Sequence, residues 1–264
     1  MSVTAFIGCG NMGFAIAKAV REKEEVILYS PNYEKTAAKA ATIGAKCAKS
    51  LSEALMADRI VLAVKPQVLP SLYKDLQGTD AVFYSIAAGI SLEALEAGLK
   101  TKKVVRFMPN LAASEKKSVT AVTWRAEQNE EIKTEALAFA SLFGSAFFLE
   151  EKDFKGFIGI SGSAIAYVFE FMHALALGGT KAGIPYAKSL EIARDTLFSA
   201  AELQKATGDN PIALMTRVCS AAGTTIEGVE ALQKGGFDAT VIDAVTAAVN
   251  RNTMLEKAQE IKND

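Results

Sequence analysis

Two groups of residues, about 200 positions apart, have types and spacings that suit chemistry. The first is Gly8-Cys9-Gly10-Asn11-Met12-Gly13, a Gly-x-Gly-x-x-Gly loop that directly follows the apolar run Val3–Ile7 and opens a helical pattern. That context turns a weak pattern into a strong one. The first glycine permits a tight turn, the second lets backbone approach a pyrophosphate, and the third lets the helix pack on the strand. The helix start then offers free N–H groups and a positive dipole end to phosphates. The second group is Ser220-Ala221-Ala222-Gly223-Thr224-Thr225, where hydroxyls and a glycine precede the helical pattern Thr224–Gln233. Hydroxyls and unpaired N–H groups at a helix start suit an anion such as a carboxylate, although the same residues also make an ordinary N-cap.

The glycine loop predicts a bound nicotinamide dinucleotide in which Gly8, Gly10, Asn11, Met12 and Gly13 hold the phosphates. The second strand should end at Tyr29, where NAD-selective proteins carry a carboxylate about 20 residues past the glycines. Here Ser30-Pro31-Asn32 follows, with Lys35 soon after, and no carboxylate stands ready to repel a 2′-phosphate. Ser30 and Asn32 therefore favour NADPH, with NADH possible as a second cofactor; the same residues also suit a turn or a helix cap. Ligands in open α/β sheets sit outside the carboxyl ends of strands. Ala63, Val64, Lys65 and Pro66, at the end of one strand, should border the cofactor. Asn110, at the end of another, offers an amide to the nicotinamide or the substrate.

Other reactive types carry less. His173, the only histidine, lies among apolar residues on a helical pattern and reads as packed or surface-placed. The cysteines Cys9, Cys47 and Cys219 are odd in number and far apart, with no Cys-x-x-Cys. No metal site and no disulfide framework is expected, and free thiols suit a reducing cytoplasm. Glu130-Glu131 and Lys116-Lys117 read as solvated surface.

These residues need elements to position them. The chain has 264 residues, half of them hydrophobic, enough for a sizeable core in one large or two smaller domains. Short runs rich in β-branched and aromatic types, Val3–Ile7, Val26–Tyr29, Ile60–Val64, Ala81–Ile86 and Val104–Met108, alternate with helical patterns such as Ala15–Glu22, Tyr33–Ile43 and Leu51–Ala57. This alternation predicts a Rossmann-type α/β domain with a mainly parallel sheet. Val119–Trp124 and Ala146–Leu149 add strands around a helix near Glu130–Leu142. After about Phe154 the strand-like runs stop. Helical spacing takes over, with expected breaks at Gly178-Gly179, Gly183–Pro185, Gly208–Pro211 and Gly235-Gly236. The expected division is residues 1–154 for dinucleotide binding and residues 155–264 as an all-α domain. A net charge of −1 leaves no basic excess for a nucleic acid. No run of about 18 uninterrupted apolar residues occurs, so no membrane span is expected. The start of the chain reads as a buried strand and not as a leader.

Taken together, the motifs resemble the Δ1-pyrroline-5-carboxylate reductase family, which catalyses the last step of proline biosynthesis. The resemblance spans the chain. It runs from Gly8–Gly13 through Val64-Lys65-Pro66-Gln67 and Arg106-x-Met108-Pro109-Asn110 to Ser161-Gly162-Ser163-Ala164-Ile165-Ala166-Tyr167, and ends in Ser220–Gly228 with Gly235-Gly236-Phe237. It implies hydride transfer from NADPH or NADH to the C=N carbon of the cyclic imine, giving L-proline. It also implies that Ser220, Gly223, Thr224 and Thr225 bind the substrate carboxylate. Thr225 then lies near the ring nitrogen as the catalytic residue, orienting the imine or relaying a proton through water. The helical half becomes a dimerisation domain through which copies of the chain self-associate in the cytoplasm, with no nucleic-acid or membrane partner. The chain departs from the family pattern where Ala221-Ala222 stand for Pro-Gly and Ala164-Ile165 for Gly-Pro, and where Ala112 stands at the position at which proline often comes after the Pro109-Asn110 pair. These departures leave open a related imine or β-hydroxyacid-type reductase, or a non-catalytic dinucleotide-binding regulator.

Overall fold

The computed structural model describes residues 2–263, with side chains described as far as Met254; Met1, part of the expected start, and Asp264, the end of the expected second domain, lie outside the described residues. By contacts the chain divides into two units. One runs to Gly162 and takes in the chain again from Ala248; the other is Ser163–Ala247. The boundary expected after residue 154 falls inside one continuous helical run, Glu151–Lys181.

In the first unit, β1 (Val3–Ile7), α1 (Asn11–Val20), β2 (Glu25–Tyr29), α2 (Tyr33–Ile43), β3 (Lys46–Cys47), α3 (Leu51–Ala54), β4 (Arg59–Leu62), α4 (Leu69–Leu76), β5 (Val82–Ser85), α5 (Leu92–Leu99) and β6 (Val104–Met108) follow in strict alternation. A 3₁₀ turn, Leu111–Glu115, leads to β7 (Ser118–Thr123), α6 (Glu130–Ser141) and β8 (Gly144–Phe148). The eight strands form one sheet in the order β3-β2-β1-β4-β5-β6-β7-β8. All neighbours are parallel except β6 and β7, which the short connection lets run antiparallel.

Alternation along the strands feeds two separate cores, one on each face of the sheet. Phe6, Leu28, Val61, Tyr84, Val105 and Phe107 pack with Ile16 and Val20 of α1 and with Phe139 and Phe143. Ala5, Ile7, Ile60, Leu62, Phe83 and Val104 pack on the other side with Leu69, Leu76, Leu92, Leu95 and Leu99. A buried charge network lies at the ends of β1 and β4 remote from the loops. There, Arg59 reaches Glu24 at 2.6 and 2.8 Å, and Glu135 at 3.3 Å. The Thr4 hydroxyl also donates to Glu24. The Arg59 guanidinium lies over the rings of Tyr84 and Phe139 at 5.2 and 5.1 Å. Removing one partner of such a buried pair costs about 3–5 kcal/mol, so this network fixes the sheet from the end away from the site.

The helical run begins with a 3₁₀ turn, Glu151–Asp153, and α7 (Phe154–Phe157), passes through a π turn at Ile158–Gly162, and continues as α8 (Ala164–Lys181). Then come α9 (Tyr186–Thr207), α10 (Pro211–Val218), α11 (Thr224–Lys234) and α12 (Phe237–Asn263). One expectation is corrected here. Gly178-Gly179 does not break α8. Gly179 instead admits α9 at close range, since a Cβ there would stand 2.6 Å from the Ser189 Oγ. No uninterrupted apolar run exists, yet Glu151–Lys181 is long and apolar enough to cross a membrane by length and composition alone, its most apolar 18-residue stretch having a mean hydropathy of 1.4. Isolated polar residues such as His173 and Glu170 interrupt the run without lowering its average below that of a span.

Candidate active site

The Gly8–Gly13 loop sits at the carboxyl end of β1. Gly8 has φ of +103° and donates from its N–H to the Tyr29 carbonyl at 2.8 Å, which ties the loop to the end of β2. A Cβ on Gly8 would stand 2.7 Å from the Ala63 carbonyl carbon and oxygen. One on Gly13 would stand 2.6 Å from the Ala63 Cβ and 2.8 Å from the Gly8 oxygen. These two glycines are therefore required by Ala63 at the end of β4. Gly10 is different. It caps α1 with φ of −67° and ψ of −178°, a conformation open to any residue, and a Cβ there would meet nothing within 4 Å. No packing contact within the protein requires glycine at that position.

The start of α1 suits an anion. Gly10 provides no side-chain cap and no acidic residue occupies the first turn. The N–H groups of Asn11 and Met12 precede the first helical bond, from Phe14 to Gly10 at 2.9 Å, and so have no partner within the helix. Cys9 is held quiet within the loop, because burial pushes its thiol up to about 11 despite the lowering charge of Lys39.

At the end of β2, Ser30, Asn32 and α2 form a closed set of bonds. The Thr36 hydroxyl donates to the Asn32 carbonyl at 2.8 Å, so the 2.6 Å contact between Ser30 and Thr36 uses the proton of Ser30. The Asn32 side-chain oxygen caps α2 by accepting from the Lys35 N–H at 3.0 Å. The cap reading of these residues holds, and a lone pair of Ser30 and the amide NH₂ of Asn32 remain outside these bonds. Lys35 is exposed, whereas Lys39, passed over in the sequence, is half-buried and donates to the Cys9 carbonyl at 2.6 Å.

Ala63 continues the β1–β4 pairing through its N–H to the Ile7 carbonyl at 2.9 Å, and Lys65 and Pro66 turn the chain into α4, accepting from Val68 and Leu69. Asn110 is buried, and its side chain is already engaged. Its oxygen accepts from the Ala112 N–H at 3.2 Å, and its NH₂ reaches the Ser161 hydroxyl at 3.4 Å. It caps the 3₁₀ turn and has one amide hydrogen left for a ligand. Arg106 is held by Glu151, which also accepts from the Leu92 N–H at 2.7 Å.

Ser220, Gly223, Thr224 and Thr225 belong to the other unit. The turn closes through the Gly223 N–H to the Ser220 carbonyl at 3.1 Å. Gly223 caps α11 in extended conformation without a side-chain bond, and a Cβ there would stand 2.3 Å from the Ser220 Oγ. The α11 N–H groups and the hydroxyls of Thr224 and Thr225 thus meet at one helix start with nothing capping it. Ala222, where the resembled family has glycine, adopts φ of +57°. His173 is engaged elsewhere, 2.9 Å from the Tyr186 hydroxyl, with the two rings edge to face. Among the described residues no cluster of three metal-ligating side chains occurs.

Residues 151–255 match the family model for pyrroline-5-carboxylate reductase dimerisation, and residues 3–89 that for NADP oxidoreductase, coenzyme F420-dependent. A pyrroline-5-carboxylate reductase of Escherichia coli is 35% identical over 263 residues, 96% of this chain and 98% of that protein. The solved 1-pyrroline-5-carboxylate reductase of Streptococcus pyogenes shares 33% identity with a TM-score of 0.86, covering 95% of this chain and 98% of that one. A Plasmodium falciparum pyrroline carboxylate reductase solved with NADP bound shares 25% identity with a TM-score of 0.85, covering 97% of this chain and all of that one.

Proposed function

This chain belongs to the pyrroline-5-carboxylate reductase family, and from that premise we propose how its residues divide the work of making L-proline. It is an NAD(P)H-dependent oxidoreductase acting on a C=N bond in proline biosynthesis. The cofactor, when bound, supplies the hydride; everything else falls to the protein.

In our reading residues 1–154 hold the dinucleotide and residues 155–264 the substrate. Gly8, Gly10, Asn11, Met12 and Gly13 bind the pyrophosphate. The observation that carries this is Gly10, whose missing Cβ leaves space that no protein atom needs. Ser30 and Asn32 line the adenosine ribose, with NADPH preferred. Ala63, Val64, Lys65 and Pro66 border the cofactor, and the remaining amide hydrogen of Asn110 serves the nicotinamide end.

Ser220, Gly223, Thr224 and Thr225 take the imine carboxylate, because two hydroxyls and the uncapped N–H groups of α11 are donors that a carboxylate satisfies. Thr225 faces the ring nitrogen. A threonine hydroxyl is too weak an acid to protonate it strongly, so Thr225 orients the imine or passes a proton from water as the nitrogen becomes an amine.

The helical run Glu151–Lys181 is a self-association face in this reading and not a membrane span. It presents Ile160, Val168, Phe169 and Leu177 at its surface and lies wholly within the segment that matches a dimerisation domain. Small molecules and copies of the chain are the partners, without nucleic acid or membrane, in the cytoplasm. Following NADPH absorbance with pyrroline-5-carboxylate tests the whole reading. The parent protein turns over, and Thr225→Ala lowers kcat about tenfold or more. Absence of turnover in the parent removes the functional conclusion; an unchanged Thr225→Ala removes the role of that residue.

A further inference from the structure

Lys39 lies on the second turn of α2, and its side chain reaches the glycine loop. Its ammonium donates to the Cys9 carbonyl at 2.6 Å and stands 5.2 Å from the centre of the Phe14 ring. Three contacts locate that spot. The Gly8 N–H meets the Tyr29 carbonyl at 2.8 Å, the Cys9 Sγ lies 3.8 Å from the same carbonyl, and Ser30 is tied to Thr36 one turn before Lys39. The ammonium therefore stands where the phosphate loop meets the end of β2, the place at which a dinucleotide fold reads the adenosine ribose.

The neighbours define what this charge is for. Ser30 has committed its proton to Thr36, and Asn32 has committed its oxygen to the Lys35 N–H, so the strand end presents neutral groups. A neutral set accepts a ribose 2′-hydroxyl without help, but a 2′-phosphate carries a charge that it leaves unmatched. An ammonium has three donors, and Lys39 spends one on Cys9. We propose that Lys39 is the specificity-determining residue for the 2′-phosphate of NADPH, its ammonium pairing with that phosphate beside Ser30. The inference rests on the reading of Gly8–Gly13 as the dinucleotide loop. It moves the cation from Lys35, which is exposed, to a residue anchored at the loop itself.

The test uses binding of cofactor fragments by calorimetry, with no imine present. The full-length protein and its Lys39→Met, Lys39→Arg and Lys35→Met variants are each titrated with adenosine 2′,5′-bisphosphate and with 5′-ADP. Lys39→Met weakens the 2′-phosphorylated probe about tenfold or more and leaves 5′-ADP within about twofold, while Lys39→Arg keeps most of the preference. A loss shared equally by both probes makes Lys39 only a strut of the loop and overturns the proposal. So does an unchanged preference in Lys39→Met, or a selective loss confined to Lys35→Met. Failure of the parent to bind either probe or NADPH would instead overturn the loop reading beneath it.

Discussion

Replacing Gly10 by alanine should separate folding from cofactor binding. The Gly10 backbone, at φ −67° and ψ −178°, accepts an L residue without strain, and the new methyl group meets no protein atom within 4 Å. The structural cost is that of alanine at an N-cap, about 0.5–1 kcal/mol relative to glycine. In a chain of this size that lowers Tm by about 2 °C. The binding cost is larger. On the reading that a pyrophosphate lies against Gly10, the methyl group takes up its space, and losing two hydrogen bonds to a charged phosphate costs about 3 kcal/mol or more. Such a loss weakens Kd for NADPH roughly 100-fold. Gly8→Ala gives the opposite pattern. Its φ of +103° and the 2.7 Å approach to the Ala63 backbone force the end of β4 to move, and strain plus overpacking cost about 3 kcal/mol of stability. Thermal melts paired with calorimetric titration of NADPH read both variants. If Gly10→Ala binds NADPH as the parent does, or unfolds as readily as Gly8→Ala, the pyrophosphate does not lie against Gly10 and the reasoning fails.

Other outcomes follow from single features. Ala222→Gly should raise the urea midpoint slightly, by about 0.5 kcal/mol in stability, because relief of the left-handed strain at φ +57° outweighs the extra freedom of the unfolded glycine; a lower midpoint would mean that Ala222 is unstrained. His173→Ala should cost about 1 kcal/mol through the lost bond to Tyr186 and leave kcat unchanged, whereas a large drop in kcat would bring the histidine into the chemistry. Cys9, its thiol raised to about 11 by burial, should react slowly with iodoacetamide at pH 8 and faster toward pH 11. The sign for stability agrees: the folded state resists losing this proton, so the contribution is intact below the ordinary thiol range and declines as pH climbs from about 9 to 11. Rapid labelling at pH 8 by mass spectrometry would refute it.

The glycine loop was legible because Gly8 and Gly13 meet local needs, a tight turn and a helix packed against Ala63, at a fixed spacing directly after a strand. The strand runs were legible because each feeds both cores by alternation, as Phe6 against Ala5 and Ile7 does. β3 escaped notice because two residues, Lys46–Cys47, carry no period. Asn110 read as a free amide because the need of the following 3₁₀ turn for a cap appears only once that turn exists. The Glu24–Arg59–Glu135 network joins residues far apart in sequence, whose meeting depends on strand order. Lys39 did leave a signal. Helical side chains lean toward the N-terminus of their helix, so a lysine one turn beyond Thr36 covers the loop more readily than Lys35 at the helix start. Gly178-Gly179 misled because glycine marks a break and a close helix contact with the same letter.

Within Ser163–Ala247 only Ala176, Ser189 and Ala193 are buried among the described residues. A segment that hides so little of its own apolar surface draws its stability from association, and association obeys mass action. Its melting temperature should therefore depend on protein concentration, each tenfold dilution of a dimer removing about 1.4 kcal/mol. In a cell this makes the lifetime of a newly made chain a question of how many others are present. On the reading of this segment as a self-association face, α8 and α9 of a lone chain stay open to proteases, and folded enzyme should rise more than in proportion to synthesis.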